Sequence, residues 1–420
     1  MAKYKKQKKH KPQSAQSKVP ASNIGNSTKL TACATDKMTF RLAAFDTWFF
    51  RESRPHDAVG ASELASLFPP PIRTLAGAIR TYLGEQIGID WKTLASDMPD
   101  FDYKTALGGP NDLGQLQLNG PWIVHNDQRL YPAPLYLMHK QTADQTDIQR
   151  LHPGQPVHCD LGKVRLPQLP KDCKGYKTLE QRWLTAQGLA KCLNGETPTI
   201  DDVIMPEKLF SHEARLGIAR DNAHRQVLDG KLYQTRHLRI EDNVHVELDL
   251  QGLDAALLAR LGPPQPAALL RLGGEGRMAS LVCRNNREAL HFAKPKTVET
   301  VLIHFLTAAD FNGHWYPEDF QKVEQNPLTV WKGILNGIDL TIEAAVIGKV
   351  QREGGWDMQQ HQPRPVKSYI PAGSVWYCRL PQATDWQTLS NALHGQCIGH
   401  DAAFGRGQIA LGHWQDAMTR

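Results

Sequence analysis

The chain lacks several of the features that would place it quickly. No run of 18 apolar residues exists, so the sequence offers no helix to cross a bilayer, and no apolar segment follows the N-terminal lysines as a secretory signal requires. Its seven cysteines (33, 159, 173, 192, 283, 378 and 397) are odd in number and widely spaced, with no Cys-x-x-Cys. They read as free thiols in a reducing cytoplasm. There is no G-x-x-x-x-G-K-[ST], which excludes the usual P-loop, and His212-Glu213 has no second histidine to complete a zinc motif. Acidic residues are missing from positions 1–35, which carry eight lysines. The net charge of +6 therefore leaves −2 for everything after them. A folded body this close to neutral must hold any polyanion by local patches. Residues 1–37 are expected to be a disordered Lys-rich tail, a source of nonspecific nucleic-acid affinity or merely a solubilising arm.

What is present begins with the run Phe68-Pro69-Pro70-Pro71-Ile72-Arg73-Thr74. Prolines are excluded from a helix interior, but the last suits the first turn. Ile72, Leu75, Ala76, Ile79 and Leu83 then recur at helical spacing. Arg73 and Thr74 fall off that stripe beside unpaired N–H groups at the positive end of the dipole, an arrangement for an anion; an arginine simply in solvent is the other reading. Gly77, costly inside a helix, points to a close neighbour.

Length favours two or three domains. A mostly apolar strand is expected from Thr39 to Phe50, and strands and hairpins from Leu113 to Lys140, turning at Asn119-Gly120-Pro121 and at Asn126-Asp127. Residues 141–175 read as a long polar connection. Thr178-Leu179-Glu180-Gln181 reads as a capping box opening a helix that ends at Asn194-Gly195. Between Ser211 and Arg239, arginines 215, 220, 225, 236 and 239 are interleaved with Lys231, Tyr233 and three histidines. Asp229-Gly230 is a hairpin turn signal there. Basic groups around an aromatic suit single-stranded nucleic acid; a salt-bridged surface hairpin using Glu213, Asp221 and Asp229 is the alternative. Val244–Leu250 alternates strictly, as a half-buried strand does. Each half closes on a glycine-rich loop bearing an arginine: Gly273-Gly274-Glu275-Gly276-Arg277, and Phe404-Gly405-Arg406-Gly407. Glycine lets backbone approach a phosphate or sugar, so both loops are candidate RNA contacts, with Phe404 stacking a base. The bland alternative puts Phe404 in the core and lets the glycines only turn the chain.

Taken together, Trp48-Phe49-Phe50-Arg51, Leu67-Phe68-Pro69-Pro70-Pro71 with Thr74 to Arg80, Glu213 to Ile218 with Gly230 to Tyr233, the Gly273-Gly274-Glu275 turn and Tyr369 to Ser374 resemble, in order, the third-subunit family of the Cmr module of type III-B CRISPR systems, within the RAMP superfamily. The resemblance covers residues 38–412. It implies an α+β protein of two ferredoxin-like (RRM-like) domains, 38–293 with a long insertion and hairpin, and 294–420, both with glycine-rich loops. It also implies a non-catalytic, cytoplasmic subunit without cofactor or metal, which grips the 5′ handle of the crRNA. Its partners would be the large polymerase/cyclase-like subunit and a backbone RAMP subunit, with no membrane. The RNA-binding set expected on this reading is Arg51, Arg73, Thr74, Arg80, Arg215, Arg220, Arg225, Lys231, Tyr233, Arg236, Gly273, Gly274, Arg277, Phe404, Gly405, Arg406 and Gly407. The rival is a metal-independent endoribonuclease processing precursor crRNA, with His237 as general base beside Lys231 and Tyr233.

Overall fold

Alternation decides the architecture. Phe40 and Leu42 on one face of the strand Lys37–Ala44 are fully buried, as are Val246, Leu248 and Leu250 on Val244–Gln251. They face Leu75, Ile79 and Leu83 of the helix Ile72–Gln86 and Leu257 of the helix Ala255–Leu261. Burying such side chains is worth roughly 1.5–3 kcal/mol each, so the pattern fixes which face is covered. The computed structural model describes residues 37–52, 63–91, 95–96, 102–142, 146–170, 173–221, 223–253, 255–261, 267–284, 295–325, 327–358 and 360–415.

Two antiparallel sheets organise these residues. In the first, the four central strands run Gln117–His125, Val244–Gln251, Lys37–Ala44, Met278–Arg284. In chain order that is second, third, first, fourth, with one helix after the first strand and one after the third. Gln128–Pro132, Trp183–Leu184 and Val203–Ile204 extend one side, and Ala268–Arg271 the other. The second sheet repeats the order with Ile338–Val346, Val375–Asp385, Thr297–Phe305 and Ile409–Gly412. The helix Trp386–Leu393 follows its third strand, while residues 306–320 stand where a first helix would be. The fold is thus mainly sheet with few helices, and α+β.

Several expectations need correction. Residues 141–175 are not an open connection: His152–Cys159 pairs with Gly162–Gln168, and Arg165 reaches Glu343 at 3.2 Å on the second sheet. The capping box at Thr178 opens no helix, because Lys177–Thr178 pairs with the strand Leu137–Gln141. The helix is Ala186–Leu193, and Thr185 caps it by accepting from the Gly188 N–H at 3.1 Å. Asn119-Gly120-Pro121 lies inside a strand at a register shift opposite Glu247 and Asp249, whereas Asn126 and Asp127 do turn, both with positive φ. Gly77 has nothing near; it is Gly84 whose added Cβ would lie 2.2 Å from the Trp91 ring. Pro71 is the N-cap of its helix rather than its first residue.

The face of the first sheet turned away from the helices is occupied by its own charges. Arg41 donates from Nε to buried Glu247 at 2.9 Å, and Arg129 donates to Glu247 at 2.8 Å and to both oxygens of Asp249 at 2.8 and 2.6 Å. Thr39 Oγ1 donates to Asp249 at 2.7 Å. Guanidiniums and carboxylates are balanced here, which leaves little for a polyanion.

Candidate nucleic-acid interface

The longest ladder among the described residues joins Phe210–Asp221 to Gln226–Ile240. Its turn is not Asp229-Gly230 but 221–226, where Asp221 accepts from the N–H groups of Ala223 and His224 at 2.8 and 3.2 Å and Arg225 takes a positive φ. A side-chain oxygen that satisfies two loop donors is a stronger local turn signal than Asp-Gly when the register favours it. Glu213 lies opposite His237, Arg215 opposite Thr235 and Gly217 opposite Tyr233, so these side chains share one face. Leu216, Ile218 and Leu232 occupy the other, and all three are exposed.

On the polar face a cluster forms where the hairpin meets Asp46 and the glycine turn 273–277. Arg215 donates from Nε to Glu213 at 2.7 Å and from Nη2 to Asp46 at 2.9 Å. Arg239 donates from Nε to Glu213 at 2.6 Å and from Nη2 to Asp46 at 3.2 Å. Arg277 donates from Nη1 to Asp46 at 3.0 Å. The hydrogen bond from Arg215 holds the Asp46 carboxyl below the usual range, and that from Arg239 does the same for Glu213. Three guanidiniums thus surround two carboxylates, and the exposed Glu275 of the same turn supplies a third negative charge, so the patch is balanced overall. Tyr233 lies over Gly217, where a Cβ would meet the ring at 2.3 Å, and its hydroxyl is 3.5 Å from Glu275. Gly273 takes φ +89°, and a Cβ there would sit 2.6 Å from the Phe49 carbonyl oxygen; the Gly274 N–H donates to that oxygen at 2.8 Å. Gly274 itself is exposed. Gly273, Gly274, Arg277, Arg215 and Tyr233 are therefore brought together.

His237 lies beneath this face with 1% of its surface exposed, stacked on Phe49 at 5.0 Å. Its Nδ1 pairs with Thr47 Oγ1 and its Nε2 with Thr235 Oγ1, both at 3.1 Å. Burial, with Arg215 and Arg277 nearby, pushes its pKa down to about 4. Both ring nitrogens are already engaged inside the protein, so it is poorly placed to take a proton from a ribose.

The second glycine loop is a correction. Phe404 is 5% exposed and belongs to the core beneath the helix Ile72–Gln86. Arg406, 3% exposed, pairs with buried Glu353 and lies 3.7 Å from the centre of the Tyr369 ring. A Cβ on Gly405 would sit 2.7 Å from the Leu118 carbonyl oxygen, and one on Gly407 2.0 Å from that of Ile398. Gly405 lets this loop close on the strand Gln117–His125 of the first sheet, and Gly407 lets it close on Ile398 in its own half. It joins the two halves and presents neither an arginine nor an aromatic ring to solvent. Arg73 is drawn into the same joint, donating to Asp401 at 2.9 Å and lying 4.4 Å over Phe404, so it does not face a free anion site.

The other expected residues are dispersed. Thr74 is exposed on the first turn of its helix. Arg80 donates to the Gly108 carbonyl oxygen at 2.6 Å, and Arg236 pairs with Glu63. Arg225 stands at the hairpin turn and Arg51 at a bridge to Ser66, both exposed. The side chains of Arg220 and Lys231 lie outside the described residues, as do residues 1–36. Sequence reasoning passed over Asp46 and left Arg239 out of the expected set. Parity along the hairpin identifies Arg239, since it shares the face of Glu213 and Arg215.

Among the described residues, no helix is long and apolar enough to cross a membrane, and no group of three or more His, Cys, Asp or Glu residues is placed to hold a metal. No curated protein matches the chain. Two subunits from cryo-EM structures of the type III-B Cmr-beta bound to cognate target RNA match 81% of this chain and 86% of theirs; one, with AMPPnP also bound, is 16% identical at a TM-score of 0.43, the other 15% at 0.41. A chain of the Csm3–Csm4 subcomplex of the type III-A CRISPR-Cas interference complex matches at 10% identity and a TM-score of 0.37, over 90% of this chain and all of that one. The family described as CRISPR-associated protein (Cas_Cmr3) matches residues 40–414, nearly the whole folded length, and the chain belongs to that family of Cmr-type subunits.

Proposed function

We propose that this chain is a non-catalytic crRNA-binding subunit of a type III-B CRISPR interference complex, gripping the 5′ handle of the crRNA. The observation that carries the reading is the cluster of Arg215, Arg239 and Arg277, each partly exposed, beside Tyr233 and the exposed backbone of Gly274. Guanidinium forks bind phosphates bidentately, and rings with arginines track a single strand. The strand order second, third, first, fourth in both sheets supports two ferredoxin-like units, the second with a loop in place of its first helix. The exposed apolar side of the hairpin, Leu216, Ile218 and Leu232, supports a contact with a protein neighbour: the large polymerase/cyclase-like subunit or a backbone RAMP subunit. The buried, doubly hydrogen-bonded His237 speaks against the endoribonuclease.

The test is ultraviolet crosslinking of the purified chain to a repeat-derived RNA carrying the handle, with the crosslinked peptides identified by mass spectrometry. Crosslinks within residues 211–239 and 273–277 are expected. Crosslinks confined to other surfaces, or none, would overturn the reading.

A further inference from the structure

The residue before Asp46 is Phe45, and 71% of its surface is exposed. Its backbone is fixed, since its N–H donates to the Met278 carbonyl oxygen at 3.2 Å, next to Arg277 in the strand pair. A large aromatic held open at this position gains nothing for the fold and loses hydrophobic burial of its own. Around the adjoining Asp46 the three guanidiniums are not used up. Their inner nitrogens hold Asp46 and Glu213, while among the described residues Arg215 Nη1, Arg239 Nη1 and Arg277 Nη2 donate to nothing. The two carboxylates therefore act as inner anchors that fan the arginines outward. The outward nitrogens of the three guanidiniums suit the two free oxygens of one phosphodiester, which guanidinium forks bind bidentately.

We propose that the turn bearing Phe45 and Asp46 is a nucleotide-binding element, in which Arg215, Arg239 and Arg277 take one phosphodiester and Phe45 stacks the adjoining base. This rests on the reading of the hairpin face as an RNA surface, and it adds a residue and a stoichiometry that the reading alone does not require. The element discriminates single-stranded from duplex RNA, because only an unpaired base is free to stack on a protein ring.

The experiment is RNA binding by the full chain at several salt concentrations, comparing wild type with Phe45→Ala and Arg239→Gln, using handle RNA substituted with 2-aminopurine at successive positions. Phe45→Ala is expected to weaken binding about tenfold without changing the salt slope, since stacking releases no counterions. One 2-aminopurine position is expected to be quenched in wild type and released in that variant. Arg239→Gln is expected to lower the log–log salt slope by about 0.7, one phosphate contact on a single strand. Thermal melting checks that both variants fold, and both positions are exposed enough to expect so. Wild-type affinity and quenching in Phe45→Ala, with wild-type protein binding RNA normally, overturns this inference and leaves the proposed function standing. Loss of a protein partner with RNA binding intact also overturns it, assigning Phe45 to a protein interface. Absence of RNA binding by wild type, at any salt, removes both.

Discussion

Arg406→Ala separates a loop that reads RNA from a loop that closes the protein. Arg406 and Glu353 are 3% and 7% exposed, and Tyr369 covers the guanidinium at 3.7 Å. Truncating the arginine leaves a carboxylate buried without its cation, a change that costs about 3–5 kcal/mol. That is a large share of the 5–15 kcal/mol that typically holds a domain together. Replacing both partners, as Arg406→Met with Glu353→Gln, removes the stranded charge and should return stability to within about 1–2 kcal/mol of wild type. The assay is urea unfolding followed by tryptophan fluorescence, with handle-RNA affinity measured separately at a temperature where every variant is folded. The single variant should lose stability and keep affinity, and the double variant should recover stability. A single variant with wild-type stability and tenfold weaker RNA binding would refute the assignment of this loop to the joint between the halves.

Three further outcomes follow from the same geometry. Gly407→Ala should cost about 2–4 kcal/mol, because a Cβ would fall 2.0 Å from the Ile398 carbonyl oxygen at φ +66°, whereas Gly276→Ala, at φ +65° with open space around it, should cost only about 1 kcal/mol; parallel urea titrations distinguish them. His304 is fully buried with neither ring nitrogen partnered among the described residues, and burial depresses its pKa from 6.5 to about 3. The unfolded chain therefore takes up a proton that the folded one refuses, so this stability is complete above pH 6.5 and is lost as pH falls toward 3; His304→Leu should flatten the melting temperature between pH 7 and pH 4 and stabilise by about 1–3 kcal/mol at neutral pH. Wild type and His237→Ala should both leave repeat RNA uncut, while the variant lowers the melting temperature, since it empties a buried site stacked on Phe49; a specific RNA product made by wild type and lost in this variant would restore the nuclease.

The sequence carried the first helix and the central strands because their periodicity is also their burial: Ile72, Leu75, Ile79 and Leu83 form the stripe that the sheet covers. It did not carry the hairpin register. A turn at Asp229-Gly230 pairs odd positions with even ones, while the observed register pairs Glu213 with His237 and Arg215 with Thr235. Such a slip puts every partner on the opposite face, and Arg239 then leaves the cluster. Nor could it show what the second glycine loop approaches. Phe404-Gly405-Arg406-Gly407 has the composition of a ligand loop, but the backbone its glycines admit is that of Leu118, distant in the chain, and of Ile398 just upstream. Composition states that something comes close; only the fold states whether it is RNA or protein. The first loop, 273–277, has similar composition, and there too Gly273 admits protein backbone, that of Phe49, while Gly274 stays exposed.

The central claim, that crRNA is gripped by the polar face of the hairpin, is tested most directly by the combined variant Arg215→Gln, Arg239→Gln and Arg277→Gln. These side chains are 22–48% exposed, so their loss leaves Asp46 and Glu213 open to water and the fold intact. Affinity for handle RNA, measured at one fixed salt concentration beside the melting temperature, should fall a hundredfold or more while melting shifts by only a few degrees, roughly the effect of 1 kcal/mol. Wild-type affinity in a folded triple variant would contradict the account.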